Sequence, residues 1–437
     1  MTVIAEIRCD PGAARIYEHG WQSWSPAGVY PARGRSPRPA RPLWQTMAFR
    51  PERPAPDAGF QGEGLLVVEP GGDEPLHVFS APEPERQVAS IRAEVQRDRI
   101  LVSSDEPVRR TEHRDGIEAA LVDWADGMRV RARLGAVDGL GPAWCSWYGY
   151  WGEVTAAHVA ESLKAIDELA LDVAVVQVDD GWQRGIGDWD GVNDRFGDLP
   201  SLAQRIRDSG RRAGIWLAPL MVGEHSATAR EHPDWLVRGA DAGFNWDQRL
   251  HALDVTHPDA AEALQRSIRW LAELGFDYFK IDFLYAGAME GLRHEDSSGI
   301  DAYREALRLI RDAAGERSTL LGCGAPLLPS IGLVDAMRVS PDVAPHFEPP
   351  HGDVSQPSMR GALLAGRARA FQHARLWVND PDCLLARPGV ERREAWAEHV
   401  EAHGGLVASG DSLRELDDWG LETTRRLLSA AAERGVR

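Results

Sequence analysis

The stretch ALQRSIRWLAELGFDYFKIDF, residues 263–283, joins a helix signal directly to a strand signal. It closes the amphipathic stretch Ala260–Leu274 and enters the apolar strand Tyr278–Phe283. Residues two apart in a strand share a face, so Lys280 and Asp282 point the same way. The same alternation continues on both sides. Strands are predicted at Ala143–Tyr148, Val173–Asp179, Ala213–Pro219, Tyr278–Phe283, Leu320–Cys323, Ala336–Ser340, Leu376–Asp380 and Leu406–Ser409. Amphipathic stretches lie between them at Ala156–Ala170, Leu202–Ser209, Ala260–Leu274, Ala302–Ala314 and Arg360–His373. Eight strands with helical crossovers imply a parallel sheet, and eight is the number that closes a (β/α)8 TIM barrel. A doubly wound open sheet is the alternative. It carries a Gly-rich phosphate turn after its first strand, and WYGYWG at 147–152 is not one.

Upstream of Pro142 the pattern changes. Short β-prone runs at Gly64–Glu69, His77–Ser80 and Arg99–Ser103 are separated by Gly, Pro and Asp, which predicts antiparallel sheet. The fold class is therefore α/β, with a β-sandwich-like antiparallel domain over 1–140 and a (β/α)8 barrel over 141–437. Residues 31–56 are rich in Pro and Arg and read as a long loop on the β domain, with a basic arm as the other reading.

The 437 residues are too many for one small domain. Lys and Arg number 49 against 67 Asp and Glu, a formal charge of −18. That balance argues against nucleic acid, anionic membranes and polyanionic substrates as partners. MTVIAEIRCD at the start has no apolar core of signal-peptide length, and no stretch approaches the roughly 20 apolar residues of a membrane span. Four cysteines are too few for a disulfide scaffold, so a cytoplasmic protein is expected. The 16 tryptophans are core filler or platforms that stack on sugar rings.

In a barrel the active site lies at the carboxyl ends of the strands. Those ends carry Trp147 and Tyr148, then Asp179, Asp180 and Trp182, then Trp216, Lys280 with Asp282, Cys323, Arg338 with Asp342, and Asp380 with Asp382. An Asp after a strand is commonly a helix N-cap, an even alternative for Asp382. It explains Asp179, Asp180 and Asp282 poorly, because they sit in or at the ends of apolar strands. If Lys280 and Asp282 point inward, the cation holds the carboxylate ionised, as a glycosidase nucleophile requires; a structural ion pair inside the barrel fits the spacing equally. Clustered carboxylates also bind Mg²⁺ or Ca²⁺. No predicted strand ends in His, however, and His225, His232, His257, His346 and His351 fall in loops, so no metal or other cofactor is expected. Cys145, Cys323 and Cys383 have no CxxC partner and read as small buried filler.

These residues, in this order, resemble the α-galactosidases of glycoside hydrolase family 36, the compact bacterial type above all. The similarity is carried by WQSW at 21–24, WCSWY at 144–148, QVDDGW at 177–182, GDW at 187–189, GIWLAP at 214–219, EHPDW at 231–235, FKIDFLYAGA at 279–288, LGCGAPLLPSIG at 321–332, MRVSPDVAP at 337–345 and NDPDC at 379–383. The resemblance implies a retaining exo-glycosidase acting on terminal α-D-galactosyl groups of a small carbohydrate. It implies Asp282 as nucleophile and Asp342 as general acid/base. Asp179 and Asp180 would grip sugar hydroxyls, with Lys280, Cys323 and Arg338 as further sugar contacts. Trp147, Tyr148 and Trp216 would be pocket walls, and Trp24 a wall lent by the β domain. Lys280 is expected to keep Asp282 ionised, and Arg338 to face sugar hydroxyls and not Asp342. Relative to the family, the β domain looks shortened before WQSW, and no small β domain follows the barrel. A β-L-arabinopyranosidase or a transglycosylase would use the same residues. A non-catalytic sugar-binding relative and a metal-dependent lyase or aldolase are the readings from other classes.

Overall fold

The computed structural model describes residues 1–37, 46–135, 139–403 and 405–435. Its amino-terminal part contains two antiparallel sheets. One has the strand order Thr2–Arg8, Arg99–Ser104, Ser90–Val95, Phe60–Glu63; the other runs Gly28–Pro31, Arg15–Glu18, Leu65–Glu69, Leu76–Ser80, Arg109–His113. The period of two decides how they pack. Leu66 and Val68 face Ile91, Ile100 and Val102 of the other sheet. Leu65 and Val67, on the opposite face, meet Ile117, Leu121 and Ala125 of a helix, Gly116–Ala132. That helix lies where the sequence predicts only strands. Its buried residues Ile117, Ala120, Leu121, Ala125 and Met128 repeat at helical spacing. Of the Pro- and Arg-rich segment 31–56, residues 38–45 lie outside the described residues. Arg50 is no free basic arm: it is buried and paired with Glu52 and Glu63.

The barrel follows. Its strands, in chain order, are Ala143–Cys145, Val175–Val178, Arg212–Leu217, Phe276–Ile281, Thr319–Gly322, Ala336–Arg338, Val378–Asp380 and Ala408–Ser409. Each pairs in parallel with the next along the series from first to seventh, and the eighth pairs with the first. The ring closes between seventh and eighth through Gly405 N and Leu406 N donating to Asn379 O, and a parallel bridge between Leu384 and Ser409. Strands buried on both faces need apolar side chains on both faces; Val175, Val176 and Val178 supply them. The helix Pro258–Glu273 turns into the fourth strand at Gly275, whose φ is +97°. That left-handed φ favours glycine there, and the Arg207 guanidinium packs into the space a Cβ would take. Among the described residues no helix is long and apolar enough to cross a membrane.

Candidate active site

A cavity of about 530 Å³ opens at the carboxyl ends of the barrel strands. Its floor carries Asp179 and Asp180 after the second strand, Lys280 in the fourth, and Asp282 just beyond it. Asp342, in the loop after the sixth strand, lines the same cavity. Trp24, Trp147 and Trp216 form walls. The first strand ends at Cys145, sooner than predicted, and a short helix from Trp147 to Tyr150 follows. Trp147 lines the cavity, whereas Tyr148 does not: it is buried, and its hydroxyl donates to Asp382.

Lys280 and Asp282 share the cavity, yet the ammonium bonds elsewhere. Lys280 Nζ lies 2.8 Å from Asp179 Oδ1. Alternate strands contribute to one interior layer of a barrel, so a long side chain from the fourth strand meets the end of the second. Burial alone would lower the Lys280 pKa; Asp179, with Asp282 and Cys145 adding to it, raises it overall and holds the ammonium charged. The ammonium is thus hydrogen-bonded to Asp179 and acts on Asp282 only through its charge. Asp282 accepts instead from Trp216 Nε1 at 3.0 Å and from Phe283 N at 2.8 Å. Trp216 is itself fixed from behind, its carbonyl accepting from Trp182 Nε1 at 2.8 Å.

Arg338 also departs from expectation. It is 3 % exposed, lies outside the cavity lining, donates to Asp342 at 2.9 Å and Asp380 at 3.1 Å, and forms an ion pair with Asp382 at 2.9 Å. A fully buried guanidinium needs partners on its whole fork, and three carboxylates supply them. Asp382 is therefore a brace, not a helix cap: it has φ +90° and also accepts from Val343 N and Cys383 N. Cys323 sits beneath the cavity at 1 % exposure, its N–H extending the ladder to Ile281 O.

Asp342 is the cavity carboxyl whose titration is strongly raised. Burial pushes its carboxyl up to about 7; the pull of Arg338 is outweighed, with Asp382 and Asp282 adding repulsion. Its side chain remains 32 % exposed where it opens on the cavity.

Trp24 reaches the cavity because its loop is clamped to the barrel. Arg369, wholly buried, donates to the carbonyls of Gln22, Ser23 and Ser25 and to Val339 O. Ser23 N donates to Ala325 O. The indole edge rests over Gly324, where an added Cβ would stand 2.8 Å from the ring, and meets Phe283 at a centroid distance of 4.9 Å. Trp21 faces elsewhere, 6 % exposed beneath the Arg50 guanidinium. Trp24→Ala is expected to raise KM about tenfold with a near-native Tm. Trp21→Ala is expected to lose about 3–5 kcal/mol of stability. Melting curves beside steady-state kinetics of both variants separate the two roles.

The sequence did not point to the hairpin that closes another side, Phe244–Asn245 paired with Gln248–Ala252. It contributes Phe244, Asn245 and Trp246 to the lining. No Asn-Gly or Asp-Gly marks its turn. Phe283, the residue after Asp282, lines the cavity as well; its aromatic character was the only available signal.

A family model described as Melibiase matches residues 145–302. The structure is similar to that of the α-galactosidase from Thermus thermophilus, solved with p-nitrophenyl α-D-galactopyranoside, with a TM-score of 0.79 and 30 % identity over 97 % of this chain and 88 % of that one. This chain belongs to glycoside hydrolase family 36. The family 36 α-galactosidase AgaA of Geobacillus stearothermophilus shares the fold at a TM-score of 0.63 and 13 % identity, over 98 % of this chain and 62 % of that one. Curated relatives match over shorter parts. The bifunctional α-galactosidase/sucrose kinase AgaSK of Mediterraneibacter gnavus is 32 % identical over 160 residues, 32 % of this chain. An Escherichia coli α-galactosidase is 27 % identical over 178 residues, 38 % of this chain. The matches span only 17 % and 25 % of those proteins' lengths. In this family 36 chain the Melibiase match holds Asp179, Asp180, Lys280 and Asp282, and ends before Asp342.

Proposed function

We propose that this family 36 chain is a retaining exo-α-galactosidase that releases terminal α-D-galactosyl groups from small carbohydrates through a covalent glycosyl-enzyme. The observation that carries the reading is a pair of carboxyl groups in one cavity with opposite surroundings. Asp282 is met by two N–H donors, which suit an acceptor. Asp342 is pushed up to about 7 and has a proton to give. In the first step the Asp282 carboxylate attacks the anomeric carbon from one face. The bond to the leaving oxygen breaks as Asp342 transfers its proton to it. In the second step the Asp342 carboxylate takes a proton from water, whose oxygen attacks the same carbon. The bond to Asp282 breaks, both carboxyl groups return to their starting states, and the configuration is retained. Asp179 and Asp180 hold the sugar hydroxyls, and Trp24, Trp147 and Trp216 enclose the ring. The Thermus enzyme, also solved with stachyose, supports the choice of an α-galactoside. Four free thiols fit a reducing, cytoplasmic setting.

The test is a panel of nitrophenyl glycosides: α-D-galactoside, β-L-arabinopyranoside, α-N-acetylgalactosaminide and α-glucoside. The α-galactoside is expected to react fastest, with NMR showing the α-anomer of galactose formed first. Preference for the arabinopyranoside, which lacks only the hydroxymethyl group, would move the substrate assignment. A β-anomer formed first would refute retention.

A further inference from the structure

We propose that Trp246 is a positioning residue that aims the Asp180 carboxylate at the sugar. Trp246 and Asp247 form the two-residue tip of the hairpin 244–252, with φ of 49° and 54°. Bulky side chains rarely take that region, and glycine makes the same turn freely. An indole kept in a conformation that suits glycine is there for what its ring does. The ring lines the cavity, lies 4.7 Å from Phe283 and 6.3 Å from Trp216 between centroids, and donates from Nε1 to Asp180 Oδ2 at 2.8 Å.

Asp180 needs such a donor. Its other oxygen accepts from Gln183 Nε2 at 2.6 Å, so each oxygen has one fixed N–H and a lone pair left for a hydroxyl. A carboxylate torsion is broad and soft without partners. Asp180 is 6 % exposed, and the charged groups around it are the carboxylates of Asp179 and Asp282 and the Lys280 ammonium, which Asp179 holds. Burial raises its pKa, the hydrogen bonds from Trp246 and Gln183 offset part of that rise, and the charges of Asp179 and Asp282 add to it. Removing the indole N–H frees the carboxylate to rotate and favours its protonation.

The inference rests on the galactosidase reading for its kinetic arm alone. Trp246→Phe keeps an aromatic ring against Phe283 and deletes the donor. With p-nitrophenyl α-galactoside it is expected to raise KM about tenfold, leave kcat within about twofold, and move the acid limb of kcat/KM to higher pH, with an unchanged Tm. Unchanged KM and acid limb, or a Tm loss with kcat and KM moving together, would overturn the proposal. The second arm needs no activity. The wild-type minus Trp246→Phe fluorescence difference is expected to titrate in acid, and the same titration to vanish in an Asp180→Asn background. A titration that survives Asp180→Asn overturns the proposal even if the chain hydrolyses α-galactosides. A chain that hydrolyses none, yet shows the Asp180-dependent titration, refutes the function and keeps the positioning role.

Discussion

Asp282→Gly is expected to lower kcat/KM for an aryl α-galactoside by about four orders of magnitude or more, because the covalent route has no other nucleophile. The candidates nearby are already engaged. Asp179 is bound to Lys280, Gln177 and Asp180 N, and Asp180 to Trp246 and Gln183. The substitution empties space on the face of the sugar from which Asp282 attacks. The freed donors, Trp216 Nε1 and Phe283 N, then point at that space. Azide is a small anion that fits such donors, so millimolar azide should restore part of the rate with an activated aryl substrate. It would enter from the nucleophile's face, and the product should be the β-galactosyl azide, identified by NMR. An α-galactosyl azide would assign Asp282 to proton transfer instead. A variant that kept more than about a tenth of wild-type activity without azide would remove Asp282 from the covalent route altogether.

How far the sequence can be read depends on the range of the interaction concerned. The eight barrel strands are legible because Val, Ile and Leu fill short runs such as Val175–Val178 on both faces. That Lys280 and Asp282 share a face is equally local, a matter of a two-residue spacing. What Lys280 bonds to is not local. It is decided by which strands share a layer inside the closed barrel, and the answer is Asp179. Arg338 repeats the lesson: four residues from Asp342 in sequence, it serves Asp380 and Asp382 as well, which only the fold brings alongside. The helix Gly116–Ala132 is hard to read because its buried stripe is narrow and Asp123, Asp126, Arg129 and Arg131 interrupt it from the solvent side. The hairpin tip at Trp246–Asp247 carries no glycine to announce a turn with positive φ. Its indole reaches Asp180 across 66 residues of sequence, a contact no spacing rule contains.

Asp342→Ala is expected to separate substrates by their leaving groups. A glycoside whose leaving oxygen needs protonation should slow by about three orders of magnitude, and an activated dinitrophenyl glycoside far less. Equal loss across the series would deny Asp342 the acid role. The pH profile supplies an independent reading. The acid form is the active one, and burial places its titration near 7, so wild-type kcat/KM should fall as pH rises through that value. The alanine variant, measured on the activated substrate, should lose this basic limb, because the titrating group is gone. Arg338, bonded to Asp342 at 2.9 Å, would by itself hold the carboxyl ionised and leave it a poor acid at neutral pH. Its single positive charge is shared with Asp380 and Asp382, both nearly fully buried, so three negative groups compete for one cation. Protonating Asp342, which opens on the cavity, relieves that excess. When Asp282 is consumed in the covalent intermediate, one further negative charge near Asp342 disappears. Its pKa should then fall, which suits the base needed for the second step. With a substrate whose second step limits the rate, the acid limb of kcat should accordingly lie below pH 7; a limb at or above 7 would separate Asp342 from the base role.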